Sequence, residues 1–74
     1  MPKLPVVSGR QARQAFERAG WHFVRVGSSR HLILRKAGSP AALSIPDHNT
    51  LDRGLLRSLI RDAGMSVREF VDLL

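Results

Sequence analysis

One histidine in this chain stands among arginines, directly behind a small turn: Arg25, Val26, Gly27, Ser28, Ser29, Arg30, His31, then Leu32 to Arg35 and Lys36. Histidine moves protons near neutral pH, and the planar fork of arginine grips a phosphate through paired N–H donors. Ser28 and Ser29 add hydroxyls beside them. No other stretch combines a proton-transfer group, anion-binding groups and a tight turn so closely. Cleavage of RNA needs little more, because the substrate brings its own 2′-hydroxyl nucleophile. A group to move one proton and cations to hold the scissile phosphate suffice. Local residues alone do not separate a catalytic His31 from an inert surface histidine.

The other two histidines have less polar company. His22 lies between Trp21 and Phe23 and reads as structural. His48, after Pro46 and Asp47, reads first as a loop residue and second as a reserve catalytic group. Spacings of 9 and 17 residues between the three match no metal-binding helix or finger, so no metal and no cofactor is expected. A Gly-x-Ser-x-Gly elbow and a Gly-rich phosphate loop with its lysine are both missing, which argues against acyl transfer and nucleotide hydrolysis.

Charge points the same way. Twelve Lys and Arg face six Asp and Glu, a net of +6, and ten of the twelve are arginine. Such a balance fits a polyanion partner, nucleic acid first; an arginine-rich codon bias is the plain alternative. Seventy-four residues are expected to make one domain. A chain of this size buries only roughly 60% of its unfolded surface, so chemistry belongs on an exposed face and the substrate is large. Without cysteine there are no disulfides, and without a long apolar run no membrane span is expected. The expected location is cytoplasmic.

These groups need elements to hold them. Residues 1–7, with Pro2 and Pro5, read as an extended lead-in. Ser8 and Gln11 spell a capping box, and Ala12, Ala15, Phe16 and Ala19 recur on one helical face, predicting a helix over about 9–19 that Gly20 ends. Arg10 and Arg13, at its start, are within reach of a phosphate. Strands are predicted at about 21–26, 30–36 and 41–45. Strict alternation sets Trp21, Phe23 and Arg25 on one face of the first, with His22, Val24 and Val26 on the other. A helix over about 53–63 follows, capped by Asp52 and stopped by Gly64, with Arg53, Arg57 and Arg61 in an exposed stripe. Ser66 and Glu69 open a short helix at about 67–73. The order α-β-β-β-α, with a short extra C-terminal helix, predicts an α+β two-layer sandwich like a double-stranded-RNA-binding domain.

Taken in order, several short pieces carry a family resemblance. They are Gly9-Arg10, Ala19-Gly20-Trp21, Val24-Arg25, the Ser/His turn, His31-Leu32-Ile33-Leu34-Arg35, and Ile45-Pro46 with His48. Behind these come Leu51, Gly54, Leu56, Ile60, Ala63-Gly64-Met65-Ser66 and Glu69-Phe70. From about Ser8 to Leu74 the chain resembles the HicA (YcfA-like) toxins of bacterial toxin–antitoxin modules. The resemblance implies a metal-independent mRNA interferase on a double-stranded-RNA-binding-like fold. It also implies a HicB-type antitoxin that covers the active histidine. The family's histidine sits in a Gly-Ser-His turn, whereas this turn carries an extra residue. Counting back from Leu32 aligns His31 with the catalytic position; counting forward from Trp21 aligns Arg30. A turn absorbs an insertion more easily than a strand, which favours His31. Gly54-Leu55 also departs from the family's Gly-Thr.

The leading expectation is therefore a HicA-like endoribonuclease with His31 as general acid or base. Arg25, Ser28, Ser29, Arg30, Arg35 and Lys36 would bind RNA, and His48 and Arg10 stand as secondary candidates. A non-catalytic RNA-binding module of the same fold is the alternative, and a protein serving only an acidic partner is a third.

Overall fold

The structure, a computed structural model, describes residues 3–74; Met1 and Pro2 of the expected lead-in lie outside the described residues. The elements are α1 (Gly9–Arg18), β1 (His22–Val26), β2 (His31–Arg35), β3 (Ala42–Pro46), α2 (Arg53–Asp62) and α3 (Val67–Asp72). The strands form one antiparallel sheet in the order β1-β2-β3. This is the α+β, α-β-β-β-α sandwich with a short terminal helix.

The helix starts follow from the sequence. The Ser8 hydroxyl accepts from the Gln11 N–H at 3.1 Å and the Gln11 side chain accepts from the Ser8 N–H at 2.8 Å. Ser66 and Glu69 repeat that reciprocal pair at α3, and the Asp52 carboxylate caps α2 through the Leu55 N–H. Each box satisfies backbone donors that a helix start leaves without partners. Gly20 and Gly64 take the left-handed conformation, φ 99° and 74°, and end α1 and α2.

All three helices bury their apolar stripes against the same side of the sheet. Ala12, Ala15 and Phe16 from α1, Leu56, Leu59 and Ile60 from α2, and Phe70 from α3 meet Leu32, Leu34, Leu43, Ile45 and Trp21 in one core. Phe16 and Phe70 pack with ring centroids 5.0 Å apart. Even the lead-in contributes, through buried Leu4 and Val7. The shortest extent of the backbone is 17 Å, room for one sheet and one helical layer. The second face of the sheet is therefore bare. No helix among the described residues is long and apolar enough to cross a membrane.

Strict alternation fails in β1. Phe23 lies opposite Leu34, but Arg25 lies opposite Ile33, so Val24 is an extra residue in the ladder. A bulge of this kind swaps the faces of every residue beyond it. Arg25 leaves the side of Trp21 and Phe23 and joins the bare face, while Val26, opposite the core residue Leu32, turns toward the helices.

Candidate active site

The β1–β2 turn is built differently from a flexible glycine hinge. Gly27 is extended (φ −83°, ψ −171°), and the left-handed residues are Ser29 (φ 56°) and Arg30 (φ 58°). Two successive positive φ angles match the right-handed twist of the strands they join. For L residues that conformation costs roughly 1–2 kcal/mol each. The turn is closed by the His31 N–H donating to the Ser28 carbonyl and by the Gly27 N–H donating to the His31 carbonyl at 2.7 Å. Gly27 serves space rather than flexibility. A Cβ there would meet Ile33 side-chain carbons at 3.2 Å and the Arg25 guanidinium at 3.5 Å.

His31 is the first residue of β2, paired with Pro46, and it shares the bare face with Ile33 and Arg35 because Leu32 and Leu34 point into the core. Arg30 is at the turn's exposed tip and His31 holds the strand position. The half-buried imidazole has its Nδ1 3.0 Å from the Ser28 carbonyl oxygen. A carbonyl only accepts, so this bond requires a proton on Nδ1 and leaves the Nε2 lone pair free. Around the ring lies a shallow depression of about 280 Å³ lined by Arg25, Gly27, Ser28, Ser29, His31, Ile33 and Ser44. One base, one guanidinium, three hydroxyls and an apolar floor are thereby gathered. Ser44 was not among the sequence candidates. Its polar side chain between Leu43 and Ile45 marks it as outward-facing, but only the register places it beside Ile33.

The remaining candidates are dispersed. Arg35 lies on the same bare face, opposite His22. Lys36 belongs to the other side, where its ammonium donates to the Ala19 carbonyl at 3.0 Å and closes the end of α1. Arg30 does not line the depression, though its carbonyl accepts from the Asp47 N–H at 3.3 Å. The His48 carbonyl accepts from the Gly9 N–H at 2.9 Å, which ties the β3–α2 loop to α1, and its side chain is exposed. Arg10 pairs with Asp47 at 3.3 Å. It lines a second groove of about 420 Å³ beside α1, shared with Arg13, Gln14, Glu17, Phe23, Val26, Leu32 and Asp47. The Arg13 guanidinium there pairs with Glu17 at 3.4 Å and lies 4.0 Å over the Phe23 ring. This groove answers its cations with its own carboxylates. Among the described residues no three His, Cys, Asp or Glu side chains gather in a way that could hold a metal ion.

A family model described as the HicA toxin of bacterial toxin–antitoxin systems matches residues 9–65. The chain belongs to the HicA toxin family. The matched span runs from the first residue of α1 past the end of α2 and contains the whole His31 depression. Of this HicA-family chain, only the lead-in and the capped α3 lie outside the match. None of the curated proteins compared with the chain matches it. Membership makes the chain the toxin partner of a toxin–antitoxin pair.

Proposed function

We propose that this HicA-family chain is a metal-independent endoribonuclease that cleaves mRNA, with His31 as its proton-transfer group. The observation that carries the reading is the bond from His31 Nδ1 to the Ser28 carbonyl, because it leaves Nε2 free on a ring that lines the same depression as Arg25. Nε2 takes the proton of a substrate 2′-hydroxyl, and the oxygen attacks the neighbouring phosphorus. The bond to the 5′ oxygen then breaks as the imidazolium returns its proton there, leaving a 2′,3′-cyclic phosphate and a free 5′-hydroxyl. Charge that builds on the phosphoryl oxygens is met by the Arg25 guanidinium and the Ser28 and Ser29 groups of the turn. A HicB-type antitoxin neutralises the toxin by covering this open face, and mRNA as substrate makes the cytoplasm its place of action.

His31→Ala is expected to lower cleavage of labelled RNA by about 10²- to 10⁴-fold. The circular dichroism spectrum and antitoxin binding should stay as in the parent. Cleavage by the parent is expected to persist in EDTA. Full cleavage by His31→Ala would sink the assignment and move attention to His48. A non-catalytic RNA-binding module is the second reading, favoured by the fact that the depression offers a single proton-transfer group; a gel shift without cleavage identifies it.

A further inference from the structure

We infer that the bare face of the sheet is a track for one unpaired RNA strand, with His22 and Arg35 forming a nucleotide subsite separate from the His31 depression. The inference rests on the ribonuclease reading for the identity of the polymer, and goes beyond it in naming the strand's path and a residue that the sequence suggests is structural.

The register sets the pieces. His22 lies directly opposite Arg35, and both are exposed. Phe23 and Leu34, the next pair, turn to the core side, so His22 and Arg35 share the bare face with His31, Ile33 and Ser44. From His31 to Arg35 is four steps along β2, about 13 Å at roughly 3.3 Å per residue. One phosphate cannot touch both ends, so whatever uses both is a chain. The register lays the face out in rows: His31 at one end, Arg25, Ile33 and Ser44 across the middle, and His22, Arg35 and Ala42 at the other end.

Three properties of this surface select a single strand over a duplex. Between the cations the face carries Ile33 and Ala42 with one hydroxyl, Ser44, a low surface that suits the faces of unstacked bases, whereas a duplex shows a protein chiefly phosphates and sugars. An imidazole and a guanidinium side by side are flat surfaces on which a base stacks. No acidic side chain stands on this face of the three strands, and neither Arg25 nor Arg35 forms an ion pair among the described residues. The groove beside α1 is the contrasting case, because Arg10 and Arg13 are already paired there.

The test uses the full chain and one fluorescein-labelled single-stranded oligoribonucleotide, free or annealed to its complement. KM and kcat are measured for the parent, His22→Ala, His22→Phe and Arg35→Ala. Loss of one stacking or phosphate contact should raise KM by about fivefold or more, with kcat falling far less. His22→Phe, which restores a flat ring without a proton-transfer group, should return KM toward the parent value. Parent-like KM in both alanine variants, or a duplex used as well as the single strand, overturns the track. If the parent cleaves no RNA, the ribonuclease reading fails by itself. Fluorescence anisotropy of the same oligomer then reads the track alone: at least fivefold weaker binding by His22→Ala and Arg35→Ala supports it, and unchanged binding overturns it. No oligomer binding by the parent also overturns it, and assigns the face to a protein partner.

Discussion

At His31 the bond that matters runs to its own turn, and the cost of that bond falls on the backbone of the two residues before it. Ser29 and Arg30 are held left-handed so that the Ser28 carbonyl can receive both the His31 N–H and the ring Nδ1. Ser29→Gly removes the steric penalty of roughly 1–2 kcal/mol and returns part of it as extra unfolded-chain entropy, about 0.4–1 kcal/mol. The expected net effect is a gain of about 1 kcal/mol or less, read as a rise of a few degrees in thermal midpoint. A fall would mean that the Ser29 hydroxyl holds the turn. The sequence announced His31 and its arginines by type alone. It did not announce Gly27's task, because the glycine looks like a hinge while the demand for it comes from Ile33 and Arg25, two strand residues folded over it.

Among the elements, the helices were readable in advance because their signals are local. Ser8 with Gln11, Asp52, and Ser66 with Glu69 each act within one turn of helix. The β1 bulge was not, since Trp21 to Val26 reads as one continuous strand and only pairing with β2 shows Val24 to be extra. That single residue decides whether Arg25 faces the core or His31. Docking of α1 was equally hidden. A Cβ on Gly9 would run into the Pro46 carbonyl oxygen, so Gly9→Ala must push α1 off the end of β3. The expected loss is about 1–3 kcal/mol, with a clear drop in melting temperature; an unchanged melt would mean the helix start slides without consequence. At α3, the Ser66 N–H bonded to the Glu69 carboxylate, helped by the Ser66 hydroxyl, holds that group's pKa below its ordinary 4.5. A depressed folded-state pKa means stability that is present above the unfolded value and lost as pH falls through the folded one. Thermal melts of the parent should therefore decline in mild acid, below about pH 4.5, more steeply than those of Glu69→Gln. Parallel declines would show that other carboxylates govern the acid limb.

For the molecule as a whole, the proposed RNA substrate has two cationic surfaces to choose between. Arg25 and Arg35 stand on the bare sheet face, while Arg53, Arg57 and Arg61 are exposed along α2 in the opposite layer. The shortest extent of the fold is 17 Å, and screening at physiological salt sets in over about 8 Å. Charges on the α2 layer are thus largely invisible to a strand lying on the sheet. For single-stranded nucleic acid, log K falls with log salt with a slope of about −0.7 per phosphate neutralised. Arg25→Ala and Arg35→Ala are each expected to flatten that slope by about 0.7, and Arg57→Ala to leave it nearly as it was. Anisotropy titrations of a labelled single strand between about 50 and 200 mM salt resolve such a difference, since several phosphate contacts change affinity by orders of magnitude over that range. Should Arg57→Ala flatten the slope as much as Arg25→Ala, the strand crosses the helical layer, and His31 would have to reach its phosphate from the rim of the sheet.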